Sequence, residues 1–422
     1  MTDPAEHLEC YLVGGAVRDQ LLGLDRADLD WLVIGASVDE MTRLGFKSVG
    51  RDFPVFLHPK SHQEYALARR ERKIAPGHRG FETDTRPEVT LEEDLSRRDL
   101  TINAMARSRD GVLIDPYGGQ ADLGRKILRH VSDAFIEDPV RVLRVARFAA
   151  RYHHLGFSVA PETLDLMQAI VVSGETRALV AERVWQELRL ALAENTPAEF
   201  FRVLQACGAL GPVLPEIQAL FGVPQPPEHH PEGDAGQHTL MVLDAATRLS
   251  DDTRVRFAAL VHDLGKGTTP RDQWPRHIGH EKRGLKLVKG LCQRLRVPED
   301  HQRLALAVTE YHLLMHKLEE LRPETVLKLL AGLDAFRNPD RVEPFILACE
   351  ADAQGRGARA VKPYTSAPQL RTYLAAITAL DLGDLGDSDL DHKARAREVR
   401  RRRLSAIRAV KATWPASGSA SC

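Results

Sequence analysis

The spacing of apolar residues divides the chain into two unlike parts. Over the first 136 residues, short runs that alternate between apolar and polar positions are mixed with helical segments. Strands are predicted at 11–13, 28–34, 55–58 and 64–69, and helices at 16–22, 39–44 and from 91 onward. Pro76, Gly77 and Gly80 interrupt a segment without apolar periodicity, so residues 72–88 are predicted to form a mobile loop. The pattern is that of an α+β fold.

Beyond residue 137 the period changes to that of α-helices. Apolar residues recur every three or four positions at 140–152, 182–192, 199–207, 238–246, 254–264 and 318–379. Residues 222–236 contain four prolines and three glycines, which predicts a long loop between two helical bodies. A looser segment at 381–391, a basic helix at 393–411 and a disordered end at 415–422 are predicted to complete the chain.

This pattern predicts four parts: a mixed head at 1–136, a helical connector at 137–222, a second helical body at 236–360 and a helical tail at 361–422. A chain of 422 residues is also longer than one hydrophobic core usually organises. The net charge of −1 leaves any nucleic-acid binding to local basic patches.

The expected compartment is the cytoplasm. No apolar run approaches the length that spans a bilayer, and residues 1–9 lack the apolar core of a signal peptide. The five cysteines form no Cys-x-x-Cys pair, which favours free thiols over disulfides or a zinc site.

A Gly-Gly turn after the first predicted strand is the first candidate site. Gly14 and Gly15 have no Cβ, so backbone N–H groups can approach a phosphate closely there. The following helix, which contains Arg18 and Asp19, presents its positive end to the same point. The turn is therefore suited to bind an anionic ligand.

Two carboxylates follow on the next predicted strand. Asp28 and Asp30 are separated by one residue, so they point to the same face, whereas Leu29, Trp31 and Val33 point into the core. The two carboxylates lie about 6 to 7 Å apart, which suits shared ligation of Mg²⁺. An isolated Asp-x-Asp pair is more often a solvated strand edge, but the Gly-Gly turn before this one favours a metal site.

Arginines are concentrated on the first helix of the second part. The residues at 141, 144, 147 and 151 fall on one face, and Asp138 precedes Pro139 as an expected N-cap. Arginines on a helix are commonly no more than a solvated face. Four like charges that nothing neutralises would repel one another, however, which favours a polyanionic ligand.

A second set of candidate metal ligands lies in the all-helical part. Histidines and aspartates follow in the order His238, His262-Asp263, His280, His312 and Asp352. Imidazole and carboxylate groups together can ligate Mg²⁺, Mn²⁺ or Ni²⁺. A single histidine is usually an ordinary polar residue, as expected for those at 230 and 316. The ordered series favours metal-dependent hydrolysis of phosphoesters.

The ordered motifs resemble those of class II tRNA nucleotidyltransferases. These motifs are Gly-Gly-x-x-Arg-Asp with Asp-x-Asp, Arg-Arg-Asp-x-x-x-Asn-Ala at 97–104, Asp-Pro at 115–116 and Glu-Asp-x-x-Arg at 137–141. The later histidine and aspartate series resembles an HD-type phosphohydrolase domain. Their combination over residues 11–352 resembles the bacterial multifunctional CCA proteins. The resemblance implies a polymerase-β-like α+β head and an all-α body with the HD domain at 236–360.

The resemblance also implies roles for residues of the head. Asp28 and Asp30 would hold Mg²⁺ and activate the tRNA 3′-hydroxyl for in-line attack on the α-phosphate of CTP or ATP. Asp138 and Arg141 would present a Watson–Crick-like edge to the incoming base and so act as the template. Other nucleotide contacts are implied for Gly15, Arg18, Arg98, Arg144 and Arg147, and for Asp99 and Asn103 near the ribose. The loop at 72–88 matches a flexible element linked to the switch from C to A addition.

For the HD segment, the resemblance implies phosphatase, 2′-nucleotidase and 2′,3′-cyclic phosphodiesterase activity. The metal ligands would be the residues of the series at 238, 262, 263, 280, 312 and 352, with Mg²⁺, Mn²⁺ or Ni²⁺ as the ion. The expected partners are tRNA, CTP and ATP, without DNA or membrane, and the chain is expected to be a monomer or a weak homodimer.

Three other activities fit parts of the sequence. A bacterial poly(A) polymerase shares the head, but the HD series and the lack of a long basic extension argue against it. An HD hydrolase whose head only binds nucleotide or RNA is an alternative of another class, and a non-catalytic RNA-binding protein is disfavoured by the carboxylate pairs. The helix at 393–411 has nine basic residues against Glu398, which fits either an RNA-contacting helix or an ordinary terminal one.

Overall fold

The computed structural model describes residues 3–24, 29–49, 55–73, 81–228, 230–356, 363–385 and 390–414. The chain forms two compact units, Met1–Val213 and Leu214–Cys422. Among the described residues, no helix combines the length and apolar character needed to cross a membrane. The described cysteines, at 10, 207, 292 and 349, are buried free thiols. The division into four parts, with boundaries near 136, 222 and 360, remains a prediction.

The first unit is built on a mixed β-sheet. The strands are β1 Glu9–Val13, β2 Asp30–Ile34, β3 Lys47–Ser48, β4 Val55–Leu57, β5 Glu64–Leu67, β6 Arg70–Lys73, β7 Phe81–Asp84, β8 Ala106–Ser108, β9 Leu113–Ile114, β10 Ile127–Leu128 and β11 Ser158–Val159. Within the described residues the main sheet has seven strands, in the order β3-β4-β5-β2-β1-β8-β9. Only the β2–β5 pairing in this sheet is parallel.

The helices of the first unit include the predicted ones and one at 119–125 that was not predicted. They are α1 Gly15–Leu21, α2 Val38–Arg43, α3 Leu91–Ser96, α4 Gly119–Arg125, α5 Val140–Tyr152, α6 Pro161–Val172, α7 Ala181–Ala193, α8 Ala198–Ala206 and α9 Leu210–Val213. At the start of α3, Thr90 and Glu93 each accept a hydrogen bond from the other's backbone N–H, which satisfies two donors that the helix leaves open. The apolar stripe of α5 packs against α7 and α8.

Strand β2 is apolar on both faces. Trp31 and Val33 pack into a cluster with Phe56, as predicted. Leu32 and Ile34, which alternate with them, pack into a second cluster on the opposite face. Asp30, at the first position of the strand, is exposed. The face of β2 that bears Asp30 is therefore apolar from Leu32 onward, because the second cluster covers it there.

The prediction of a loop over the whole of 72–88 is wrong at its N-terminal end and again at 81–84. Strands β6 and β7 pair antiparallel, with Arg70 opposite Asp84. The side chains of Arg70 and Asp84 lie 3.8 Å apart, so opposite charges rather than apolar residues face each other across the hairpin. Apolar periodicity could not detect strands of this kind. Residues 74–80 lie outside the described part of the chain.

The second unit is helical. Its helices are α10 Pro215–Gln218, α11 Ala235–Leu249, α12 Thr253–Val261, α13 His280–Leu295, α14 Glu299–His316, α15 Pro323–Gly332, α16 Val342–Gln354, α17 Ser366–Thr378 and α18 His392–Thr413. Residues 255–261 of α12 are all buried, which fits its position against α11, α14 and α16. The predicted loop at 222–236 is also observed, up to the start of α11 at Ala235.

The basic segment near the C-terminus forms α18, which packs against α15 and α17. Several of its charges are paired within the unit. Arg402 lies 2.5 Å from Asp384 and 3.1 Å from Glu398, and Arg408 lies 2.9 Å from Glu324. Part of the positive charge seen in the sequence is therefore neutralised by the protein itself.

Candidate active sites

The backbone conformation of the Gly-Gly turn favours glycine at its first position. Gly14 has a φ of +66°, in the region that favours glycine, and it precedes the first residue of α1. A Cβ at this position would also lie 2.8 Å from Nη1 of Arg98. The register of β1 and β2 pairs Leu12 with Trp31, which sets Asp30 next to the end of β1 and hence to the turn. Asp28 lies outside the described residues.

Arg18 lies beneath the turn, buried in the protein. Its guanidinium packs against the rings of Phe148 and Tyr152, at 5.3 and 5.2 Å from their centroids. Its Nε donates to Asp19 at 2.8 Å, and its Nη1 donates to the side chain of Asn103. Arg18 therefore supports the turn from inside the fold.

Asp99 connects this support to α5. It accepts hydrogen bonds from Asn103 Nδ2 at 2.9 Å and from Arg144 Nε at 2.7 Å. Burial raises the pKa of the Asp99 carboxyl, but Arg144, Asn103 and Arg141 outweigh that effect and hold the pKa well below its usual range. The carboxylate is therefore charged at neutral pH, and it holds Arg144 in position.

The inference that nothing neutralises the arginine stripe of α5 is wrong. Arg144 pairs with Asp99, Arg147 lies 2.6 Å from Glu187 on α7, and Arg151 lies 3.3 Å from Asp19 on α1. The carboxylates come from three other segments of the chain, so the sequence around α5 did not reveal them. Charge repulsion within the stripe no longer supports a polyanionic ligand.

Arg141 and Asp138, the residues predicted to act as the template, lie at the start of α5. Arg141 donates to the main-chain oxygens of Ala134 at 2.9 Å and Arg97 at 2.6 Å. Asp138 accepts a hydrogen bond from the backbone N–H of Val140 at 3.0 Å, as expected of a capping residue. These bonds fix both side chains at the wall of a cavity.

This cavity of about 350 Å³ brings together much of the predicted nucleotide site. Its charged lining consists of six arginines and four carboxylates: Arg69, Arg97, Arg98, Arg141, Arg144, Arg183, Glu71, Asp99, Asp138 and Glu187. Gly15, Arg18, Asn103 and Arg147 do not line it; Asn103 contacts it through Asp99, and Arg147 through Glu187. Four further lining residues were not predicted from the sequence: Arg69, Glu71, Arg183 and Glu187. Arg183 and Glu187 share a face of α7 at helical spacing.

The stability of the first unit is expected to depend on Asp99 in a pH-dependent way. Its folded pKa is lower than the unfolded value of about 3.9, so its contribution is present above that pH and is lost as the pH falls through and below it. At pH 7, Asp99→Asn should lower the thermal midpoint by about 5 °C or more, because Arg144 and Asn103 lose a charged partner.

Thermal unfolding of both proteins at several pH values tests this expectation. The difference between wild type and Asp99→Asn should narrow as the pH falls from 5 toward 3. The exposed Asp110 provides a matched control, since Asp110→Asn should unfold like the wild type throughout. A difference that stays constant with pH would contradict the assignment.

The second predicted site is also assembled by the fold, in the other unit. All six predicted ligands are buried, and their ligand atoms fall into two groups, each within 4.8 Å: His238, His262 and Asp352, and Asp263, His280 and His312. Asp263 joins the groups, with one oxygen 3.1 Å from His262 Nε2 and the other 3.1 Å from His280 Nε2. The six residues offer imidazole and carboxylate donors, which divalent ions such as Mn²⁺ and Ni²⁺ accept as ligands.

Main-chain carbonyls orient three of the histidines. Nδ1 of His262, His280 and His312 lies 2.8, 3.0 and 3.0 Å from a carbonyl oxygen three or four residues earlier. A carbonyl can only accept, so Nδ1 carries the hydrogen and each Nε2 faces the carboxylate of Asp263. His262 Nε2 and Asp263 Oδ1 have no aligned hydrogen-bond partner among the described residues. Buried polar atoms of this kind fit a metal ion.

The charges of the site also fit a cation. Burial lowers the pKa of His262, but Asp263 and Asp352 outweigh it and raise that pKa to about 10. The pKa values of both carboxyls lie well below their usual range despite burial, chiefly because of His262. A proton on His262 thus balances the carboxylates, and metal binding would release it.

His316 and Lys266 also reach this site. His316 Nε2 lies 2.6 Å from Asp352 Oδ2, and Lys266 Nζ lies 2.5 Å from Asp263 Oδ2. The expectation that His230 and His316 are ordinary polar residues is wrong for both, because the ring of His230 also lies 4.6 Å from that of His238. The spacing of four between His312 and His316 on α14 was a usable signal. Lys266 follows Asp263 by three residues, and this spacing was a signal in the sequence that it lies beside that carboxylate.

Close backbone contacts set the frame of the cluster. A Cβ on Gly265 would lie 1.9 Å from the carbonyl oxygen of His280, and one on Gly284 would lie 2.8 Å from Thr309. Glycine at 265 therefore lets the turn after His262-Asp263 touch the start of α13 directly.

Comparisons with known proteins match the segments of the chain that contain the two candidate sites. The model of the poly(A) polymerase head domain matches residues 10–129, that of the probable RNA- and SrmB-binding site of polymerase A matches 156–221, and that of the HD domain matches 235–338. The chain is 58% identical to the multifunctional CCA protein of Thioalkalivibrio sulfidiphilus, over 96% of this chain and 100% of that protein. It is 57% identical to that of Nitrosococcus oceani, over 95% and 98%.

Solved structures share the fold. A tRNA-processing enzyme in apo form I matches with a TM-score of 0.60 at 23% identity, covering 96% of this chain and 95% of that one. A CCA-adding enzyme in complex with CTP matches with a TM-score of 0.63 at 18% identity, covering 96% and 89%. The predicted fold class, an α+β nucleotidyltransferase head followed by an all-α body with an HD domain, is confirmed.

Proposed function

The chain belongs to the family of multifunctional CCA proteins, and from that premise we propose that it adds and repairs the 3′-terminal CCA of tRNA, using CTP and ATP and releasing pyrophosphate. The observation that carries this proposal is the arginine-rich cavity at the start of α5. Its six lining arginines offer guanidinium donors to a triphosphate, although Arg97 and Arg98 already pair with the buried Asp94, and it lies beside residues that can read a base.

Asp138 and Arg141 are proposed to select the nucleotide. A carboxylate accepts hydrogen bonds and a guanidinium donates them in a fixed fork, so together they can pair with the edges of C and A but mismatch G and U. Hydrogen bonds to Val140, Ala134 and Arg97 hold both groups before any ligand arrives. Such pre-organisation lowers the free-energy cost of binding.

A nucleotidyltransferase head and an HD domain both imply a dependence on divalent metal ions. In the head, Asp28 and Asp30 are proposed to hold Mg²⁺. Asp30 and Glu64 are register partners on parallel strands, so this edge offers the oxygen donors that Mg²⁺ prefers. Bound ions of this kind lower the pKa of the attacking hydroxyl and stabilise the leaving pyrophosphate. Asp99 meanwhile fixes Arg144 at the cavity wall.

The HD cluster is proposed to hydrolyse phosphoesters at tRNA ends, as a phosphatase, 2′-nucleotidase and 2′,3′-cyclic phosphodiesterase. The ligands would be His238, His262, Asp263, His280, His312 and Asp352, with Ni²⁺, Mn²⁺ or Mg²⁺ as the ion. The clustering and orientation of these side chains support the proposal. Removal of a damaged or cyclic 3′ end would prepare the tRNA for CCA repair.

The product formed on a tRNA that lacks its 3′ end tests the proposal for the head. With Mg²⁺ and all four nucleoside triphosphates, the expected product is extended by C, C and A and then stops. A long A tail would indicate a poly(A) polymerase instead. No extension at all would leave the head as a nucleotide- or RNA-binding part. Arg141→Ala, assayed in parallel, should incorporate U or G, because the fixed donor fork is lost.

A further inference from the structure

We propose that Glu232 is a positioning residue for His238, one of the proposed metal ligands, and that His230 holds Glu232 in place. This inference rests on the metal-binding HD cluster proposed above. It adds to that cluster a carboxylate and a histidine that precede it in the chain and lie outside the predicted ligand series.

His238 differs from the other histidines of the cluster in what its second ring nitrogen contacts. Nδ1 of His262, His280 and His312 faces a main-chain carbonyl. Nδ1 of His238 instead lies 2.7 Å from Oε1 of Glu232, while its Nε2 lies 3.1 Å from Asp352. The imidazole of His238 thus stands between a carboxylate behind it and the group of ligands in front of it.

Glu232 is itself held in place. It lies in the loop before α11, with its side chain 5% exposed, and Oε1 also accepts from His230 Nδ1 at 3.0 Å. The rings of His230 and His238 meet edge to face, with centroids 4.6 Å apart. Oε2 has no hydrogen-bond partner among the described residues. Burying a carboxylate costs free energy unless a partner compensates its charge, and the imidazole of His238 is such a partner.

The carboxylate can act through the His238 ring. A hydrogen bond from Nδ1–H to Glu232 would fix the tautomer that leaves the Nε2 lone pair on the side of Asp352, and the negative charge would make Nε2 a stronger donor. In the structure, Oε1 is close to Nδ1 but not in line with its N–H. The last torsion of a glutamate is broad, so a modest rotation aligns the two. Losing such a partner typically weakens metal affinity about 10- to 100-fold.

Titration of the metal-free full-length protein with Mn²⁺ tests the proposal. Sites that the wild type has and His262→Ala lacks are assigned to the HD cluster. Glu232→Gln keeps the shape of the side chain but removes its charge. We expect it to weaken Mn²⁺ binding at these sites about 10- to 100-fold, with the thermal midpoint of the metal-free protein and CCA addition unchanged.

Glu281 provides the matched control. Its carboxylate lies 3.8 Å from Nδ1 of His280, beyond hydrogen-bonding distance, and that nitrogen already faces the carbonyl of His277 at 3.0 Å. Glu281→Gln should therefore bind Mn²⁺ like the wild type. Equal losses in both variants would indicate a general charge effect and overturn the proposal.

A double-mutant cycle separates a positioning role from a structural one. If Glu232 acts through His238, then Glu232→Gln causes no further loss of Mn²⁺ affinity in a His238→Ala background. Wild-type affinity in Glu232→Gln, alone or with a lowered thermal midpoint, would overturn the proposal, as would the same loss in both backgrounds. Absence of HD-assigned sites in the wild type would instead refute the metal-binding cluster itself.

Discussion

Asp30→Ala is expected to abolish CCA addition, with kcat reduced by about 10³-fold or more. Asp30 lies at the exposed first position of β2, beside the turn that contains Gly14 and opposite Glu64 on β5. It is the one carboxylate of the predicted pair within the described residues. Without it, the proposed Mg²⁺ ions lose a ligand at the point where the attacking hydroxyl and the α-phosphate must meet.

Incorporation of labelled CTP into a tRNA without its 3′ end measures this effect, alone and together with Asp28→Ala. Binding of CTP should persist, because the arginines of the cavity remain. Asp39→Ala, which removes an exposed carboxylate from the first turn of α2, should be as active as the wild type. Substantial CCA addition by the double variant would exclude these carboxylates as the metal site.

His262→Ala is expected to abolish hydrolysis of a 2′,3′-cyclic phosphodiester, by about 10³-fold or more, while leaving CCA addition intact. His262 belongs to one group of ligands and contacts Asp263 of the other, so its loss affects both. It also leaves two buried carboxylates without their main cationic partner. The nucleotidyltransferase site lies in the other unit and shares none of these residues.

Both activities should be measured on the same preparation, with the thermal midpoint as a check on folding. His301 offers a control: it is buried in the same unit but contacts Thr253 and Asp300 instead of the cluster. His301→Ala should retain hydrolysis. Parallel loss of hydrolysis and CCA addition in His262→Ala would count against separate sites.

Periodic features of this chain could be predicted from its sequence, because each is set by nearby residues. The helix after Pro139 and the turn at Gly14 depend on local spacing, capping and glycine conformation, whereas α11 begins at Ala235, three residues before the predicted position. The six-residue histidine and aspartate series could be predicted as a set, although its geometry could not.

Ion pairs between distant segments of the chain could not be predicted from the sequence. The partners of the arginine stripe are Asp99, Glu187 and Asp19, which lie 45, 40 and 132 residues away from the arginines they bind. No cross-strand pair of the hairpin of β6 and β7 joins two apolar residues among the described positions, and two of the pairs join opposite charges, so no hydrophobic signal marked it. The role of Glu232 could not be predicted either, because this residue lies in a loop without apolar periodicity. What sequence reasoning missed is therefore mainly electrostatic pairing between distant segments.

The contact between Gly265 and the carbonyl of His280 fixes the distance between two parts of the HD cluster. Because the main chain at Gly265 touches the main chain at His280, this contact sets how far the His262-Asp263 pair lies from the ring of His280. The packing of neighbouring side chains does not set this distance. Substitutions that repack the surrounding helices should therefore leave the spacing of these ligands unchanged as long as this main-chain contact persists. For the same reason, position 265 does not tolerate a side chain: even the methyl group of alanine would push the two segments apart.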